Sequence, residues 1–133
     1  MTNPTPRILV IARDTHPAFR VDVVQLFSRE LGRDHAFTWV MRDGDGKGPR
    51  LTTNAGGETV YVPASGLAGL RTHCALLCQI WRGTFDAVQC RDTFLIAPFY
   101  ALAARLRSIP FFYWMSYPME LGYLDRAHRD FAR

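Results

Sequence analysis

A chain of 133 residues, 48% hydrophobic and 21% charged, carries enough apolar side chains to bury one domain-sized core, and its composition does not indicate disorder. Its net charge of +4, from 16 basic and 12 acidic residues, is spread along the chain with no basic cluster interleaved with aromatics, so nucleic acid is not an expected partner. Three cysteines form an odd set, which argues against a disulfide framework and for a reducing, cytoplasmic compartment.

Taken in chain order, MTNPTPRILVIA lacks the charged start followed by an apolar run and cleavage site of a secretory leader. Arg7–Ala12 (RILVIA) is almost continuously apolar and predicts a strand covered on both faces. Val21, Val24, Phe27 and Leu31 then recur at three and four, predicting an amphipathic helix stopped by Gly32. Ala36–Met41 and Thr59–Val62 predict the second and third strands. Between them, the glycine-rich stretch Asp43–Gly57 predicts one long irregular loop. Its Asp43-Gly44-Asp45-Gly46 opens like a calcium loop but lacks the later carboxylates, and no metal is expected.

Ser65 is placed to cap a second helix in which Leu67, Leu70, Cys74, Leu77, Cys78 and Trp81 share one face and Gly83 ends the run. Cys74 and Cys78 beside His73 are short of a zinc ligand set, and both cysteines are expected inside as small apolar residues. Asp86–Cys90 predicts the fourth strand. Leu95, Phe99, Leu102 and Leu106 predict a third helix with Pro98 in its first turn. Pro110–Met115 predicts the fifth strand, and a fourth helix is expected after Pro118, running to the last residue without a stop signal, as though the chain were cut inside an element. Tyr117, Met119, Leu121 and Tyr123 cannot share one buried helix face and predict an exposed apolar surface. The apolar stretch Phe94–Ala104 falls short of the roughly 20 residues that cross a bilayer.

Strands alternating with helices predict an α/β fold: a single domain over residues 1–133, a doubly wound Rossmann-like parallel sheet of five strands in order 3-2-1-4-5, with helices on both faces. Ligands of such sheets bind beyond the carboxyl ends of the strands, near the switch point of strand order. That rule selects three segments: Arg13-Asp14-Thr15-His16-Pro17, Arg91-Asp92-Thr93 and Ser116-Tyr117-Pro118-Met119-Glu120. The candidate substrate-binding residues are therefore Asp14, His16, Arg91, Asp92, Ser116, Tyr117 and Glu120. Arg91, with Arg13 and His16, would hold anionic or hydroxyl-bearing groups, and the carboxylates would accept from hydroxyls. Each residue also has a plain structural use: Asp92 or Thr93 as helix caps, Asp14 and Pro17 in a turn, Glu120 at a helix start. No residue is assigned as catalytic. Dinucleotide, P-loop and esterase-elbow signatures are all missing, and no cofactor is expected.

Two blocks carry a family resemblance. RILVIARDTHPAFRVDVVQLFSREL resembles the opening of bacterial retaining glycosyltransferases of the two-Rossmann-domain, GT-B type (glycosyltransferase family 4-like), and FDAVQCRDTFLIAPFYALAARLRSIPFFYWMSYPMELG is similar to their fourth strand, third helix and fifth strand. The resemblance implies an amino-terminal, acceptor-side domain whose donor-binding partner domain is not in this sequence. Many members have a glycine-rich loop after the first strand, where this chain reads Asp14-Thr15-His16-Pro17-Ala18-Phe19, and a histidine after the fifth strand, where it has Ser116 and Tyr117. The implied partners are a nucleotide-sugar, held mainly by the other domain, and a saccharide or lipid-linked acceptor, with room for a peripheral contact at the inner membrane face. The isolated chain is expected to be inactive. The alternatives are a stand-alone flavodoxin-like binding or regulatory module and a non-catalytic subunit of a split glycosyltransferase.

Overall fold

The computed structural model describes residues 4–116. The expected fourth helix and Tyr117, Met119, Glu120, Leu121 and Tyr123 lie outside the described residues. The chain forms β1 (Arg7–His16), a wide helix (Asp22–Glu30), β2 (Ala36–Asp43), β3 (Arg50–Thr53), β4 (Thr59–Val62), α1 (Leu70–Trp81), β5 (Ala87–Arg91), α2 (Ala97–Leu106) and β6 (Phe111–Trp114). The fold is α/β, a mostly parallel six-stranded sheet in order β3-β4-β2-β1-β5-β6.

The five expected strands keep their expected relative order, and the sheet has one strand more. β3 lies inside the stretch read as a loop and pairs antiparallel with β4, Arg50 opposite Val62 and Thr53 opposite Thr59. Four residues, RLTT, flanked by glycines and a proline give too short a pattern to read from the sequence, and β3 forms because β4 offers it an edge. β1 also runs past Ala12. An irregularity between Ile11 and Thr15 is followed by renewed pairing of Thr15 with Arg42 and His16 with Asp43. The segment after the first strand is thus held in the sheet rather than looping free. Gly44 permits this junction, because a Cβ there would stand 2.8 Å from Thr15 Cβ and 2.9 Å from the His16 carbonyl oxygen.

The period of two along β1 sends its side chains to two separate cores. Leu9 and Ile11 join Val88, Cys90, Leu76, Ile80, Ala97, Tyr100 and Ala104 under α1 and α2. Val10 and Ala12 join Trp39, Met41, Val60, Phe37, Val23 and Phe27 under the helix 22–30. There Phe27 meets Phe37 and Trp39 edge-on, at centroid distances of 5.4 and 5.1 Å, a favoured aromatic geometry. Each fully buried aliphatic chain contributes about 1.5–3 kcal/mol over its exposed state.

α1 and α2 turn a different face inward from the one their periodicity suggests, and helix 22–30 a partly different one, keeping Phe27 and Leu31 against the core. Helix 22–30 is wound with i→i+5 hydrogen bonds, and its buried residues are Val23 and Phe27, not Val21 and Val24. The wider turn brings residues four and five apart, rather than three apart, onto one face. In α1 the core side is Leu76 and Ile80, with Leu77 partly buried beside them, while Leu70 and Trp81, and Leu67 in the turn before it, are exposed. In α2 the core side is Ala97, Tyr100 and Ala104, and Leu95, Phe99, Leu102 and Leu106 are exposed. Cys74 and Cys78, expected inside, are exposed, and only Cys90 is buried. Both helices carry two apolar stripes, and packing chose between them. Small Ala97 and Ala104 let α2 approach the sheet closely, and the Tyr100 hydroxyl lies 2.9 Å from His73 Nδ1 on α1. Burial lowers the His73 pKa, which favours the neutral imidazole in this pair. Ser65 precedes the turn Gly66–Gly69 without making a side-chain cap.

The Asp43–Arg50 loop is neutralised from within. Arg50 reaches Asp43 Oδ1 at 3.2 Å and Asp45 Oδ1 at 2.7 Å, and Lys47 lies 3.2 Å from Asp45 Oδ2. The two aspartates that open like a calcium loop thus spend their charge on Arg50 and Lys47.

Candidate functional site

β1 and β5 are neighbours, and the chain leaves them in opposite directions across the sheet, to β2 and to β6. This is the switch point at which open α/β sheets bind ligands. Arg91, the last residue of β5, is 0% exposed. Its Nη2 is hydrogen-bonded to Asp22 Oδ2 at the start of the wide helix, and its Nε lies 3.2 Å from Asp14 Oδ2 on β1. Arg20 closes the circuit from outside, with Nη1 3.5 Å from Asp14 Oδ1 and Nε 3.3 Å from Asp22 Oδ1. The guanidinium of Arg91 stands 5.5 Å from the ring centroid of Trp114 on β6, close enough for a cation–π contact.

Two arginines and two aspartates alternate around this ring, so its formal charge is zero. Burial pushes the Asp22 carboxyl up, but the Arg91 hydrogen bond and the charges of Arg91 and Arg20 outweigh it and hold the group below the usual carboxylate range. Arg91 and Asp14 are near enough to pair electrostatically, yet Arg91 Nε and Asp14 Oδ2 make no aligned hydrogen bond, and Arg91 Nη1 has no acceptor. The ring is therefore charge-balanced and incompletely hydrogen-bonded. In this structure Arg91 joins β5 to the β1 end and the helix start rather than standing open to a ligand.

Asp92 follows in the left-handed region, φ 52°, which aspartate tolerates better than most side chains. Its N–H donates to the Trp114 carbonyl at 3.0 Å, and its Oδ1 accepts from the Ser116 N–H at 2.7 Å. Asp92 thus clips the end of β5 to the residues after β6 and does not cap α2, whose first N–H groups are met by the Thr93 carbonyl. Thr93 Oγ1 reaches the Ile11 carbonyl at 3.5 Å. Arg13 is exposed.

His16 points to a different neighbour. Its Nδ1 lies 3.1 Å from Asn54 Oδ1, in the turn between β3 and β4. The amide oxygen assigns the proton to Nδ1 and leaves Nε2 as an acceptor. Beyond Asn54 sits Glu58, 9% exposed, with neither carboxylate oxygen hydrogen-bonded, and Asn54 Nδ2 is also unpaired. A Cβ on Gly56 would come within 2.8 Å of Glu58 Oε2 and 3.1 Å of Ser28 Cβ, so a larger residue there would push the carboxylate aside. Buried polar groups without partners cost about 1–3 kcal/mol each, which makes this the least satisfied polar corner beside the ring.

Of the residues expected at the site, Asp14 and Arg91 meet directly, Asp92 and Ser116 meet each other, and His16 turns towards Asn54. Tyr117 and Glu120 lie outside the described residues. Sequence reasoning missed Arg20, Asp22, Asn54 and Glu58. The Arg20-x-Asp22 pair just ahead of a helix was the available signal for the ring. Glu58, one polar residue before a strand, carried none. No group of three or more metal-ligating side chains occurs among the described residues, and no helix among them is long and apolar enough to cross a membrane. No protein-family model, curated protein or solved structure matches the chain.

Proposed function

We propose that this chain is the acceptor-side domain of a retaining GT-B-type glycosyltransferase, which moves a sugar from a nucleotide-sugar to a saccharide or lipid-linked acceptor. The observation that carries the reading is the meeting of the β1, β5 and β6 ends around one switch point, with polar side chains from the first two and the Ser116 N–H after the third. It joins the resemblance of the two sequence blocks that contain those strand ends. Under this reading the residues divide by what they have left to offer. Arg91, Asp14, Asp22 and Arg20 are positioning residues, since their charges are spent on one another. Asp92 uses one oxygen on Ser116 and keeps Oδ2 for a sugar hydroxyl, and His16 offers Nε2. Donor diphosphate stabilisation would fall to a second domain across a cleft.

The test is turnover. The purified 133-residue chain should neither transfer sugar nor hydrolyse a nucleotide-sugar above a no-enzyme control. A protein joining this domain to a donor-binding domain should transfer, and His16→Ala or Asp92→Asn in it should lower the rate by roughly tenfold or more with the melting temperature nearly unchanged. Asparagine keeps the left-handed backbone at 92. Turnover by the isolated chain, or unaltered transfer in both variants, would overturn the reading.

A further inference from the structure

The outer side of the α1–α2 layer exposes a run of large apolar side chains. Leu67 and Leu95 are 84% and 79% exposed, and Trp81, Phe99, Leu102 and Leu106 are between 57% and 61%. A groove of about 500 Å³ lies between the two helices, lined by Trp81, Phe99, Leu102 and Leu106 with Leu77 and Arg82. Solitary exposed leucines are ordinary, but a continuous apolar face on two adjacent helices marks a surface that is covered in use.

Charge says by what. Residues 59–85 contain no aspartate or glutamate, and neither do residues 93–116. Four arginines, Arg71, Arg82, Arg105 and Arg107, are exposed on or beside the helices. None of them has a carboxylate partner among the described residues, whereas Arg7, Arg20, Arg33, Arg50 and Arg91 each face one. Arg107 is laid towards the end of α1, its Nη2 3.2 Å from where a Gly83 side chain would begin.

We propose that this face docks flat on an anionic phospholipid surface, with α1 and α2 in the interfacial plane. Leucine, phenylalanine and tryptophan on one side of a helix with arginine at its flanks is the composition of an interfacial, non-spanning helix. At 12 and 10 residues the helices lie on a bilayer and do not cross it. The long arginine stems lie over the apolar face while their heads reach lipid phosphates. A two-fold pairing of copies is the weaker occupant, because it would set four unpaired arginines against the same four. The proposal stands whether or not the chain is half of a glycosyltransferase.

The experiment is flotation of the 133-residue chain with vesicles of equal parts phosphatidylglycerol and phosphatidylcholine, and with phosphatidylcholine alone. The chain should float with the anionic vesicles, release in high salt, and stay behind with the neutral ones. Replacing Arg71, Arg82, Arg105 and Arg107 together by glutamine should weaken binding by roughly 600-fold, since each arginine near the surface contributes roughly fivefold. Trp81→Ser with Phe99→Ser and Leu102→Ser should abolish it. All seven side chains are exposed, so the melting temperature should hold in both variants and separates lost docking from lost folding. Trp81 emission should shift to the blue on anionic vesicles, and Trp81→Phe should remove the shift. Equal binding to both vesicle types, full binding by either variant, or no binding by the parent chain would overturn the proposal. A dimer in sedimentation equilibrium that the triple serine variant disperses, with no vesicle binding, would reassign the face to self-association. Sugar transfer is not a readout here, so this result and that of the turnover test fail independently.

Discussion

The two helical layers on either side of the sheet are made of opposite materials. Helix 22–30 shows water Gln25, Arg29 and Glu30, and its charged start is locked into the ring with Arg20, Asp14 and Arg91. The α1–α2 layer shows water leucine, phenylalanine and tryptophan, and its arginines lack carboxylates. One layer is finished at its charged start, where Asp22 is answered by Arg20 and Arg91, and shows few large apolar side chains, Val21 and Leu26. The other has an apolar stripe on each side, one against the sheet and one outward. An amphipathic helix in water puts its greasier side in, and a helix that is apolar on both sides has a second neighbour.

The sharpest way to break this comparison is thiol labelling, because the expected result is all or none. Cys74 and Cys78 are exposed on the outer stripe, and Cys90 is buried with its thiol pushed by burial up to about 12. A thiol reagent should modify the first two in the native chain and Cys90 only after unfolding. Protection of Cys74 and Cys78 in the monomer would put the stripe back in the core.

The next largest effect belongs to the finished layer. Asp14→Ala should cost about 3–5 kcal/mol in urea denaturation, because it removes a partner from a fully buried guanidinium. A loss below about 1 kcal/mol, the value of an ordinary exposed pair, would mean that the ring is hydrated and slack.

Within the other layer, the two stripes can be set against each other. Leu76→Ala on the sheet side should cost about 2–5 kcal/mol, and Leu102→Ala on the outer side should stay within about 0.5 kcal/mol. Equal costs would erase the distinction between inner and outer faces.

The smallest effect is a pH slope. Burial lowers the His73 pKa from its reference of 6.5. As pH falls through 6.5 the unfolded chain takes up a proton that the folded chain refuses, so stability declines until the folded pKa is passed, and it is flat above. Asp22, also lowered, adds a separate loss only below its reference of 3.8. Monitoring unfolding free energy from pH 7.5 to 5 should show the first slope in the parent chain and not in His73→Gln. A slope that survives in the variant would assign it to another group.

Much of the architecture was legible in the chain. RILVIA and PFFYWM announce themselves as strands through near-continuous apolar content, and the right-handed crossover rule orders the sheet, but PFFYWM, read as a buried strand, forms β6 with Phe112, Tyr113 and Trp114 exposed. β3 was not legible, because Arg50–Thr53 alternates over too few residues and has meaning only beside β4. At the site, the rule of strand ends selected Asp14, Arg91, Asp92 and Ser116, which do meet in two pairs. It gave no hint that Arg91 would be fully enclosed, since a terminal strand residue reads the same whether or not Asp22 closes over it.

Local pattern therefore determined which segments are strands and helices, how five of the strands follow one another and at which edge the polar residues gather. These depend on periodicity and chirality, which are properties of neighbouring residues. Tertiary structure alone decided which stripe of α1 and α2 faces the sheet, and which aspartates neutralise Arg91. A helix with two apolar stripes satisfies its own periodicity in either orientation, and Arg91 and Asp22, 69 residues apart, become partners only when the sheet brings the β5 end beneath the helix. Both outcomes are set by packing volume and by the cost of burying an unanswered charge.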